Sequence, residues 1–109
     1  MYKLITEPWD DERNKSFAQV MVAINDVDTM QNFLRDIMTD RELAEIASRL
    51  QAAAMLKAGS TYVAIVQQTK LSSRTVARIS RWLKDGPKGY EAVLELAKNH
   101  HIHLLPARN

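Results

Sequence analysis

Backbone breakers are rare in this chain and crowd into a few places: of its 109 residues, glycine stands only at 59, 86 and 89 and proline only at 8, 87 and 106. These two residues weaken a helix interior most, by roughly 1 and 3 kcal/mol relative to alanine, so the long stretches between them are free to be helical. Apolar spacing supports that reading. From about 10 to 25, Phe17, Val20, Met21 and Ile24 stand at i, i+3, i+4 and i+7, one face of a helix. Asp26 or Asp28 can cap a second helix, on which Met30, Phe33, Leu34 and Ile37 repeat the spacing. No strand pattern, internal repeat or low-complexity run interrupts the series, and the expected fold is all-α with about six helices.

Thr39-Asp40-Arg41-Glu42 is a capping box, so the third helix should start there. It should run to Ala58 and stop at Gly59, which can take the left-handed cap conformation. Leu43, Ile46, Ala47, Leu50, Ala53, Ala54 and Leu56 cover more than half of its circumference. A helix apolar over that much of its surface is enclosed by others, here expected to include helices of a second subunit. After Thr61, the residues Tyr62, Ile65, Val66 and Thr69 mark a short helix with one buried side. Lys70-Leu71 then forms a turn, and Ser72 caps a helix reaching about Lys84. Asp85-Gly86-Pro87 breaks the chain, with Pro87 suited to the first turn of a last helix carrying Tyr90, Val93, Leu94 and Ala97. The tail from His100 lacks periodicity and is expected to be partly disordered. These elements make one domain, 1–109: helices for dimerisation over 10–58, a helix-turn-helix over 61–84, a C-terminal helix over 87–99 and a tail over 100–109.

Composition excludes several functions. With no cysteine, thiolate catalysis, disulfide stapling and thiolate zinc sites are absent. No apolar run approaches the roughly 20 residues of a membrane span, and no signal-peptide layout opens the chain, so a cytoplasmic location is expected. His100, His101 and His103 lie together without an acidic or thiol partner and read as exposed tail residues rather than a metal site. Glu7, Asp10, Asp11 and Glu12 read as a solvated helix start favoured by the macrodipole, and Trp9 as an anchor against the body or a partner. No nucleophile with a base, phosphate loop or paired catalytic carboxylates is present, so the chain does not read as an enzyme.

The formal charge of +2 hides a strong asymmetry. Residues 1–45 hold ten acids against five Lys and Arg, whereas the 39 residues from 46 to 84 hold seven Lys and Arg and no acid. On the second helix of the two-helix turn, at about 100° per residue, Val76, Ile79 and Leu83 fall on one side. Arg74, Arg78 and Arg81 fall opposite them in a narrow wedge. Small side chains at Ser73 and Ala77 let the backbone approach a major groove about 12 Å wide. Double-stranded DNA is the expected partner, with Ser73, Arg74 and Ala77 at base edges and Lys70, Arg81 and Lys84 on phosphates.

Over residues 17–97 the chain resembles the Trp-repressor superfamily, most closely the TrpR-related YerC/YecD group of bacterial proteins. The resemblance rests on 17–24, on Phe33-Leu34-Arg35-Asp36, on Arg49-Leu50 followed by Met55-Leu56-Lys57-Ala58-Gly59, on Thr61-Tyr62, and on Thr75-Val76-Ala77-Arg78-Ile79-Ser80-Arg81. It implies a homodimer with intertwined N-terminal helices and two reading heads about 34 Å apart, hence a palindromic operator and a transcriptional regulator, most simply a repressor. The tryptophan repressor holds its amino acid with an arginine from the central helix and one from the recognition helix. Arg49 and Arg78 match these positions, but the small residues that make room for the ligand are replaced by Ile79 and Trp82. With these replacements a tryptophan corepressor is not expected, nor any other cofactor, and structural pairing of Arg49 or Arg78 is expected instead; for Arg78 a phosphate, a backbone carbonyl or a small anionic ligand is each an open partner. Lys70 departs from the glycine often found in the turn, and requires either a positive φ or an altered turn. Val63 stands where the tryptophan repressor carries a base-reading arginine, so a different DNA sequence would be read. The alternative reading is a protein-interaction module that keeps the dimer fold without specific DNA reading.

Overall fold

A computed structural model describes residues 7–106. The chain divides into two compact units, one reaching to Thr39 and the other starting at Asp40.

In the first unit a 3-10 turn, Pro8–Asp10, leads into α1, Glu12–Ala23, and then α2, Val27–Ile37. α1 begins later than the apolar spacing alone implies, because Pro8–Asp10 winds as the tighter turn and Asp11 is the cap. The Asp11 carboxylate accepts the Arg13 backbone N–H at 2.8 Å and the Arg13 guanidinium at 2.9 Å. That side-chain hydrogen bond, with the backbone one, holds the Asp11 carboxyl below the usual carboxylate range. Of the two candidate caps for α2, Asp26 is used: it accepts the Thr29 N–H at 2.8 Å, and this bond holds its carboxyl low as well. Phe17 and Phe33 join α1 to α2 with ring centroids 6.1 Å apart, within the range of favourable aromatic pairs. Yet neither helix buries any residue, and Phe17, Val20, Val22 and Ile37 are all exposed.

The second unit contains α3, Asp40–Lys57; α4, Tyr62–Thr69; α5, Ser73–Asp85; and α6, Gly89–Asn99. Its core is formed by Ala52, Ala53 and Met55 of α3, Ile65 of α4, Leu71 of the turn, and Val76 and Ile79 of α5. Leu56, Val66, Leu83, Tyr90 and Leu94 pack around it. Fully burying Ile65 and Val76 stabilises the unit by about 2 kcal/mol each. Small residues at 52 and 53 let the two short helices approach α3 closely. Only the second half of α3 is enclosed in this way; Ile46 and Ala47 of its first half remain exposed.

α3 ends as its sequence requires. Gly59 takes φ 90°, the Gly59 N–H donates to Leu56 O at 3.0 Å, and the Ser60 N–H donates to Met55 O at 2.9 Å. This is the paired closure that a left-handed residue permits. α6 repeats it with His101 at φ 55°: His101 N–H donates to Lys98 O at 3.2 Å and Ile102 N–H to Ala97 O at 2.8 Å. That closure turns the chain back, and Ile102, Leu104, Leu105 and Pro106 line a cleft of about 880 Å³ with Ala54 of α3, Ala58 just past its end, and Leu94 and Ala97 of α6. As far as Pro106 the tail, expected to be partly disordered, follows an irregular path along this cleft with no period to detect, Ile102 and Leu105 exposed and Leu104 and Pro106 half-buried; residues 107–109 of it lie outside the described residues. α6 also differs from the expected 87–99: Pro87 precedes the helix and Lys88, at φ 69°, is its N-cap. Across the unit, Lys57 of α3 donates to Glu91 of α6 at 3.0 Å, and this hydrogen bond depresses the Glu91 carboxyl.

Candidate nucleic-acid interface

α4 and α5 form the helix-turn-helix, and each part of it has a local cause. Thr61 accepts the Ala64 N–H at 3.1 Å and starts α4. Tyr62 is exposed rather than part of the buried side, which consists of Ile65 and Thr69. The Thr69 hydroxyl donates to Ile65 O at 2.7 Å and accepts the Leu71 N–H at 3.3 Å, so this buried polar group is satisfied while it shapes the turn. Lys70 takes φ 62°, ψ 11°, which decides between the positive φ and the altered turn expected for a lysine at this position in favour of the positive φ. Ser72 then caps α5: its Oγ accepts the Thr75 N–H at 3.1 Å and donates to Thr75 Oγ1 at 3.0 Å.

The buried edge of α5 is Val76 and Ile79, with Leu83 partly buried. On the rest of the helix Ser73, Arg74, Arg78, Arg81 and Lys84 are exposed and Ala77 is half-buried, with Lys70 exposed at the turn. Among the described residues none of Lys70, Arg74, Arg78, Arg81 and Lys84 forms an ion pair. Charges left unpaired on one face of a helix are available to a polyanion.

Arg49, Arg78, Ile79 and Trp82 come together as lining of one cleft, completed by Thr75 and Tyr90, with a volume of about 190 Å³. Their roles differ. Ile79 is 3% exposed and belongs to the core, whereas Trp82 is 50% exposed. Arg49 Nη2 lies 3.5 Å from Glu45 Oε1 one turn earlier, and its Nε is buried without a hydrogen-bond partner. A wider cleft of about 520 Å³ shares Arg49, Trp82 and Tyr90 and adds Ile46, Leu50 and Val93 among its lining.

Sequence reasoning missed Lys88. Its ammonium donates to Leu83 O at 3.0 Å and Lys84 O at 2.6 Å, closing the carboxyl end of α5 with a positive charge where the helix dipole favours one. The available signal was a lysine a few residues past a helix end, masked by the flanking Pro87 and Gly89. Gly86 is required for another reason: a Cβ there would overlap the Trp82 ring and carbonyl.

The family model for Trp repressor protein matches residues 12–98. The uncharacterized protein YerC of Bacillus subtilis is 33% identical over 92 residues, covering 82% of this chain and 88% of YerC. The crystal structure of a TrpR-like protein from Eubacterium eligens superposes with a TM-score of 0.75 at 28% identity, covering 81% of this chain and 91% of that one. A Staphylococcus aureus crystal structure shares the fold with a TM-score of 0.76 at 24% identity, over 93% and 98% of the two chains. The chain belongs to the Trp repressor protein family, in its YerC-like group.

Proposed function

We propose that this protein is a sequence-specific DNA-binding transcriptional regulator, a repressor acting as a homodimer on a palindromic operator. The observation that carries this reading is the exposed, unpaired cationic face of α5 within a capped helix-turn-helix. Ser73, Arg74 and Ala77 meet base edges; Lys70, Arg81 and Lys84 meet phosphates. Family membership supports the same reading. The dimer is supported by α1 and α2, which bury nothing in a single chain, and by the uncovered first half of α3. A partner's helices covering these faces would complete one domain and set two α5 helices about one DNA turn apart.

No tryptophan corepressor is part of this reading. Its support is the presence of Ile79 and Trp82 on the lining of the cleft between Arg49 and Arg78, where the tryptophan repressor has small residues that make room for its ligand. Calorimetry with tryptophan and simple indoles checks this, and saturable heat would overturn it.

A mobility-shift series on the promoter of the protein's own operon tests the main proposal. The expected result is a sequence-preferring complex whose affinity falls with salt by a log–log slope of about 0.9 per phosphate neutralised. Arg74→Ala should cost about 1 to 3 kcal/mol at one operator position and relax preference there. Equal affinity for operator and random DNA, with stoichiometric capture of an acidic protein, would replace this reading with a protein-interaction module.

A further inference from the structure

We infer that Trp82 is a positioning residue for DNA reading: a built-in aromatic wedge that holds the second half of α5 against α3 and α6, a place a bound aromatic ligand could otherwise fill. This rests on the DNA-binding reading of α5. The first half of that helix is anchored by Val76 and Ile79, which are 0% and 3% exposed. Beyond Ile79 only Leu83 reaches the core, and it is only partly buried. Yet Arg81 and Lys84, two of the cations assigned to phosphates, lie in this less anchored part, together with the end of the helix.

Two devices act on that end. Lys88 is bonded to the carbonyls of Leu83 and Lys84 at 3.0 and 2.6 Å, which fixes the last turn electrostatically. Trp82 fixes it sterically. Its ring lies so close to Gly86 that no Cβ fits there, and it lines both clefts together with Arg49 of α3 and Tyr90 of α6. One side chain of α5 therefore faces α3 and α6 across these clefts. At 50% exposure it adds less to the core than a buried aromatic would, so its placement is better explained by orientation than by burial. A tilt of α5 about its anchored half would carry Arg81 and Lys84 away from the groove, and the wedge opposes it.

Removing the ring should leave an apolar recess that free indole can enter, as ligands enter engineered apolar cavities. The experiment compares wild type, Trp82→Ala and Trp82→Phe, each with and without millimolar indole. It reads operator affinity and, without DNA, amide hydrogen exchange over residues 80–85. Trp82→Ala should bind operator at least tenfold more weakly and exchange faster over 80–85, with indole restoring part of both. Trp82→Phe should fall between, and it serves as the test if the alanine variant does not fold. Wild-type affinity and protection in both variants would overturn the inference, as would losses that indole leaves unchanged in a folded Trp82→Ala protein. If wild type binds no DNA, the DNA-binding reading fails, while exchange with and without indole still decides whether Trp82 holds the helix.

Discussion

A lysine held at φ 62° occupies backbone territory that glycine enters without a steric cost, and Lys70 does so at the center of the proposed reading head. Stability and charge are opposed at this residue. Lys70→Gly should raise unfolding free energy by about 1 kcal/mol in urea titration, and should weaken DNA binding while making its salt slope shallower by about 0.9. That Lys70 would need either a positive φ or an altered turn was legible from its place in the turn. Lys88 was not, because two helix breakers flank it and the carbonyls it caps are adjacent to it only once α5 has formed. The closeness of Trp82 to a bare Gly86 was not legible, since it depends on how the chain leaves the helix. Gly86→Ala should destabilise by about 2 kcal/mol through overpacking. In a Trp82→Ala background the cost should fall by about 1 kcal/mol without vanishing, because the Trp82 carbonyl also blocks the new Cβ. A double-mutant cycle by denaturant titration measures this coupling, and strictly additive costs would contradict the packing described.

At the scale of elements, helix starts were most legible where a side-chain oxygen decides them. Asp26 and Ser72 cap where their sequences place them, while the start of α6 moved to Gly89 because Lys88 turned left-handed. The Asp26 cap carries a pH dependence with a definite sign. The Thr29 backbone hydrogen bond lowers the carboxyl's pKa in the folded state. The charged cap therefore contributes fully above the ordinary aspartate value of about 3.9, and its contribution is lost as pH falls through the lower folded value. Asp26→Asn keeps a capping oxygen that does not titrate. Thermal unfolding followed between about pH 2 and 6 should show a smaller acid-side loss in this variant than in wild type. The periodicity of α1 and α2 was equally legible, but what their apolar faces meet was not: neither helix buries a residue in the single chain, and periodicity names a face without naming its partner.

At the scale of the whole molecule the two units differ in self-sufficiency. The second has a closed core of its own around Ile65 and Val76, whereas the first leaves Phe17, Val20 and Ile37 exposed. In the proposed dimer, Val20→Glu should yield a species of monomer mass in sedimentation while the helical signal of the second unit persists, and operator affinity should fall by orders of magnitude. The closed core has a further consequence. A subunit released from its twin would keep an intact helix-turn-helix but grip only half of a palindrome, so control would shift from an effector to dosage. Below the dimer dissociation constant, operator occupancy would rise with the square of subunit concentration, making the cell's rate of synthesis of this protein the signal that the promoter reads.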